Sequence, residues 1–95
     1  MPLRRDPNHQ PIAESDLQIV RFPLTDGSQL VWGEVSDLAL RERAARDKLK
    51  RLEKRALLEH YRKILEKVAS QLFDEGKFGK AADGATVVRV PAGRL

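Results

Sequence analysis

His60 is the one histidine inside the segment that sequence patterns order, so chemistry is sought there first. Nucleophilic catalysis needs a serine, threonine or lysine activated by a base that a third group orients. On a helix, the residues three and four positions from His60 are Ala56, Leu57, Lys63 and Ile64, none of them a carboxylate, and Glu53 lies about two turns upstream. A single histidine without a histidine or cysteine partner is also a poor start for a transition-metal site. The chain has no cysteine, which excludes disulfides, thiolate nucleophiles and zinc–thiolate centres. Asp74 and Glu75 close a helix at the end where its dipole disfavours them, but adjacent helical side chains diverge and make no acid–base pair. Gly76 and Gly79 flank Lys77 and Phe78 at a helix end, the wrong polarity for a phosphate cradle. The expectation is a protein that is not an enzyme and uses no cofactor or metal, with His60 on a polar helix surface.

A directed cluster of charge is the stronger signal. Residues 41–55 contain eight basic and three acidic side chains, while the whole chain carries a formal charge of only +4. As a solvated helix face the run keeps a small protein soluble, with pairs such as Glu42–Arg46 and Asp47–Arg51 adding a few tenths of a kcal/mol each. Arg46–Lys50, Lys50–Lys54 and Arg51–Arg55 are like-charge neighbours, and an anionic partner would relieve their repulsion. On a continuous helix Arg43, Arg46, Lys50 and Lys54 form one stripe, suited to phosphate contacts that are salt-sensitive and blind to sequence. Ala45, Leu49, Leu52 and Ala56 form a narrow apolar sector beside it. The candidate partner-binding residues are therefore Arg43, Arg46, Lys50, Lys54, Leu49 and Leu52. An unidentified protein is the expected partner and nucleic acid the alternative. The apolar sector spans barely two heptads and carries two alanines, which predicts a monomer or a weak homodimer. The sector opposite the cations lacks the bulky residues that burial in a membrane surface needs.

The elements that position these residues are read from periodicity and punctuation. At 95 residues the chain makes one domain. Residues 1–16 are rich in proline and polar side chains and read as a disordered arm in which His9 is solvated. Residues 17–90 form the domain, and 91–95 a free tail. Two β-prone runs flank Thr25, Asp26 and Gly27, which predicts a hairpin. A two-residue turn would set Pro23 at a ladder position that needs its missing N–H. A three-residue loop avoids this and places Val20, Phe22, Leu30 and Trp32 on one face, with Trp32 in the core. An exposed Trp32 that stacks on a base or peptide is the functional alternative.

Ser36 is a good N-cap, Asp37 favours the first turn, and Gly76 marks a C-terminal αL cap. The apolar stripe changes sides near Ala56, from Ala45, Leu49 and Leu52 to Leu57, Tyr61, Ile64, Leu65, Val68 and Leu72. This predicts either a break between about Ala44 and Asp47, with Asp47 capping a second helix, or a partner on the upstream stripe. The downstream half packs on the sheet. A loop around Gly79 leads to a third strand over residues 85–90, with Val88 and Val90 on one face and Arg89 on the other. The expected fold is α+β, a three-stranded antiparallel sheet in the order β-β-α-α-β with helices on one face.

The segments VRFPLTDG, VWGEVSDLAL, ILEKVASQLFDEGKF and DGATVVRV together resemble a family of short uncharacterised bacterial proteins catalogued as a domain of unknown function. The likeness covers roughly residues 17–90. It implies a bacterial cytoplasmic setting and transfers no functional residue. The family tends to place small or apolar residues at positions matching Val31, Gly33 and Val35. The absence of a signal-like or bilayer-length apolar run carries the same expectation of a cytoplasmic protein.

Overall fold

The computed structural model describes residues 3–13 and 18–95. Its elements in chain order are β1 (Arg4–Arg5), β2 (Ile19–Thr25), β3 (Leu30–Ser36), α1 (Asp37–Arg46), α2 (Lys54–Asp74), β4 (Gly79–Lys80), β5 (Thr86–Arg89) and a 3-10 turn at Ala92–Arg94. The fold is α+β, as expected. The sheet is larger than expected and mixed, with strand order β1-β2-β3-β5-β4 and β5 parallel to β3. The parallel pairing replaces the antiparallel third strand because both helices lie in the connection from β3 to β5. A crossover of that kind returns the chain to the same end of the sheet.

The β2–β3 register corrects the hairpin expectation. Thr25 pairs with Leu30, Phe22 with Gly33 and Val20 with Val35, so the loop is residues 26–29. The Asp26 carboxylate organises it, with Oδ1 accepting from the N–H groups of Ser28 (2.9 Å) and Gln29 (3.0 Å). Those donors hold its carboxyl well below the ordinary carboxylate range, the Ser28 N–H contributing most. Val20, Phe22, Leu24, Val31 and Val35 thus share the buried face, and Trp32 lies half-buried on the opposite one. Gly33 is required here, because a Cβ at this position would sit 2.3 Å from the Phe22 ring. Pro23 is accommodated because odd positions of β2 point their backbone groups towards the N-terminal segment. Its carbonyl accepts from Asp6 N–H at 3.2 Å, and the ladder to β3 loses nothing.

The expectation of a disordered arm is corrected for residues 3–13. Arg4 and Arg5 pair with Thr25 and Leu24, Ile12 exchanges two backbone hydrogen bonds of 2.9 Å with Arg21, and Leu3 is buried. Unpaired backbone groups on the β2 edge supply the reason: they accept a strand whatever its side chains. His9 is not free either, its Nδ1 lying 3.0 Å from Asp6 Oδ2 and its ring edge-on to Trp32. Residues 14–17 lie outside the described residues. The tail is likewise tied down, since Leu95 O accepts from Arg46 at 2.9 Å and Gln71 Oε1 from Arg94 at 3.2 Å.

The helical region is two pieces. Ser36 caps α1, its hydroxyl accepting from Ala39 N–H at 3.0 Å. The helix stops at Arg46, inside the expected interval, but Asp47 is its C-cap and does not start a second helix. Lys48 takes the left-handed conformation at φ 56°, and the N–H groups of Lys48 and Leu49 donate to the carbonyls of Ala45 and Ala44. That is a Schellman closure without glycine. Gly76, at φ 77°, closes α2 in the same way, as its sequence position predicts.

Along α2 the buried residues Leu57, Leu58, Tyr61, Leu65, Val68, Ala69 and Leu72 pack on the sheet. At about 100° per residue they span a sector of about 120°, and Ile64 falls just outside it, half-exposed. β5 alternates as expected, with Val88 and Val90 buried and Arg89 exposed.

Candidate functional site

Because α1 ends at Arg46, residues 47–53 form a connector, and no helix carries the stripe of Arg43, Arg46, Lys50 and Lys54. Arg43 turns inward: its Nε lies 3.0 Å from Asp47 Oδ2 and its guanidinium sits 5.4 Å from the Tyr61 ring centroid. Tyr61 donates to the same carboxylate oxygen at 2.7 Å. These two donors, Tyr61 first, hold the Asp47 carboxyl below its ordinary range, while burial and then the Asp47 hydrogen bond push the Tyr61 phenol up. Arg46 is engaged by Leu95, and Lys54 opens α2.

Leu49, Leu52 and Lys50 do come together. With Leu57, Arg41 and Arg51 they line a groove of about 480 Å³ between the end of α1 and the start of α2. The Schellman closure sets Leu49 against the core beside Ala44, and both Leu49 and Leu52 are half-buried there. Arg41 holds the far side, donating to Asp37 Oδ2 at 3.1 Å and to Leu52 O at 3.3 Å. The floor is apolar, the rim is cationic, and Lys50 and Arg51 are exposed. Such a groove can take one or two apolar side chains from a segment that carries carboxylates beside them. Lys54 and Arg55 add positive charge at the start of α2, whose first turn has no acidic residue, while the N-cap Glu53 partly offsets it.

A second polar cluster lies on the sheet face away from the helices, where sequence reasoning had no candidate. Arg21, Glu34 and Arg89 stand opposite one another on β2, β3 and β5. Glu34 is buried, with Arg21 Nη2 at 2.8 Å from Oε2 and Arg89 Nε at 3.3 Å from Oε1. The sequence carries only a weak signal, a charged residue inside each of three apolar strands; that they share one row is decided by the β2–β3 register and the β3–β5 pairing.

His60 is exposed, its ring edge-on to Tyr61 with centroids 4.7 Å apart. Among the described residues no group of three His, Cys, Asp or Glu side chains could hold a metal ion, and no helix is long and apolar enough to cross a membrane. No protein-family model, curated protein or solved structure matches the chain. The functional reading therefore rests on the geometry of this molecule.

Proposed function

We propose that this protein is a non-catalytic interaction module that docks an acidic, amphipathic segment of a partner protein in the connector groove. One observation carries the reading: Leu49 and Leu52 form an apolar floor inside a rim of Arg41, Lys50 and Arg51. Apolar anchors supply affinity in such a mode, and complementary charge supplies register and association rate. The resemblance to uncharacterised bacterial proteins, and the cytoplasmic setting it implies, belong to the same proposal.

The exposed Lys50, Arg51 and Arg55 near the start of α2 favour a second reading, non-specific contact with nucleic-acid phosphates. Fluorescence anisotropy separates the two. The titrants are a helical peptide with paired leucines flanked by glutamates, the same composition scrambled, and duplex DNA and RNA, each at low and moderate salt. The proposal expects the amphipathic peptide to bind, the scrambled one to bind at least tenfold more weakly, and the double variant Leu49→Ser/Leu52→Ser to abolish the difference. Duplex binding unaffected by that double variant, with no preference between the peptides, would replace it with the nucleic-acid reading.

A further inference from the structure

The row Arg21–Glu34–Arg89 is the middle of a groove of about 570 Å³ that Lys77, Phe78, Lys80 and Val87 help to line. It lies on the sheet face opposite the helices, and none of its lining residues belongs to the connector groove. Glu34 is the feature that gives the site its order. Its side chain is only 7% exposed, and both carboxylate oxygens are occupied by guanidinium groups, so little of its charge faces the groove. It stands between the two arginines, which reach it from the strands on either side. The Arg89 side chain is 86% exposed, which leaves its remaining N–H donors facing solvent. Lys77, 64% exposed, stands near them on the wall of the same groove. Lys80 Nζ is turned away to Thr86 Oγ1 at 2.9 Å, and Glu75 Oε2 lies 4.0 Å from Lys77 Nζ, so Arg21, Arg89 and Lys77 are the cations around the masked carboxylate, a local surplus that favours an anion.

The neighbouring surface is of a different kind. Phe78 is 48% exposed and is held by a tilted contact with Phe73, ring centroids 4.8 Å apart. It offers an aromatic face beside the cations, next to Val87 and Ala81. A guanidinium fork matches the oxygens of a phosphoryl group, which carries close to two negative charges at neutral pH. Aromatic faces stack on flat rings.

We infer that this groove binds a phosphomonoester attached to a flat ring, with the phosphoryl group between Arg89 and Lys77 and the ring against Phe78. Mononucleotides and phosphotyrosine share that chemistry. The site is independent of the peptide-docking reading and goes beyond it.

The test is a set of heteronuclear NMR titrations of the full chain at low salt with adenosine 5′-monophosphate, phosphotyrosine, adenosine and inorganic phosphate. The expected result is saturable shifts at Arg21, Arg89 and Phe78 with at least one of the first two, about tenfold tighter than with adenosine or inorganic phosphate. Whichever of the two binds identifies the source. Arg89→Ala, at an exposed position that leaves the fold intact, should weaken binding about tenfold or more, as expected for charge-assisted hydrogen bonds. Phe78→Ala should bring the ring-bearing ligands down to the level of inorganic phosphate. Leu49→Ser/Leu52→Ser should change nothing here. The inference is overturned if neither phosphomonoester gives saturable shifts, if both bind no better than inorganic phosphate, or if Arg89→Ala binds as the wild type does.

Discussion

Gly33→Ala is the substitution whose effect the packing determines most sharply. The glycine lies directly across the ladder from Phe22, whose side chain is fully buried, and an added Cβ would meet Phe22 Cε2 and Cζ at 2.3 Å and Cδ2 at 2.9 Å. Real Cβ atoms do not approach carbon so closely, so either the ring leaves its rotamer or β2 and β3 separate. Neither is easy, because Phe22 is enclosed by the sheet and by the helices packed on it. Overpacking of this kind costs about 1–3 kcal/mol, and the upper half of that range applies because the clash is with the body of the ring. For a domain of this size each kcal/mol lowers the melting temperature by about 4–8 °C, so Gly33→Ala should melt roughly 10–20 °C below the wild type in a far-UV circular dichroism scan. The cause is tested by a double-mutant cycle with Phe22→Leu. Shortening the ring removes the obstacle, so the two changes should be less harmful together than their sum, with a coupling of about 1–2 kcal/mol. A Gly33→Ala protein that melts within about 2 °C of the wild type, or a cycle with no coupling, would refute the account of the hairpin register.

Three further outcomes follow from the same geometry. Lys48→Gly should stabilise the fold by about 0.5–1 kcal/mol in urea unfolding, because glycine adopts the left-handed position at φ 56° without the Cβ penalty, partly offset by its greater freedom when unfolded. Asp47 has a lowered carboxyl pKa in the folded state, so its contribution is present above the ordinary carboxylate range and is lost as pH falls through the folded value. Asp47→Asn should therefore be less stable than the wild type at pH 7, and the gap in melting temperature should narrow as pH falls below the ordinary carboxylate range. Glu34→Ala should cost about 1–2 kcal/mol in urea unfolding, because Arg21 loses a carboxylate held at 2.8 Å while both arginines keep access to solvent. Arg89→Ala, at an exposed position, should cost less than about 1 kcal/mol, and the reverse order would contradict the assignment of Glu34 as the organising group.

Much of the fold is legible where local chemistry and global packing agree. Ser36 and Gly76 marked helix ends because their side chains, or lack of one, suit those positions and few others. The stripe on α2 and the alternation Val88–Arg89–Val90 were readable because burial leaves its period in the sequence. The end of α1 could be placed only as an interval, since the αL position there is filled by Lys48, an ordinary helix former. The hairpin register differs from the one turn propensity suggests because Asp26 closes a four-residue loop through side-chain hydrogen bonds, while the partner of Phe22 is a residue with no side chain at all. β1 was missed because two arginines carry no apolar period; their place is decided by the vacant edge of β2. The candidate site divides in the same way. Leu49, Leu52 and Lys50 meet in one groove, but the arginine stripe assumed a helix that the left-handed turn at Lys48 interrupts. The Arg21–Glu34–Arg89 row depends on β5 lying parallel beside β3, a pairing between residues far apart in the chain that no local pattern announces.

The central claim is that the connector groove is a docking site for an acidic, amphipathic segment. A heteronuclear NMR footprint of the leucine–glutamate helical peptide on the full chain tests it most directly. The account predicts saturable shifts at Arg41, Leu49, Lys50, Leu52 and Leu57, weakened by added salt and abolished by Leu49→Ser/Leu52→Ser. Shifts confined to other surfaces, or none at any peptide concentration reached, would contradict it.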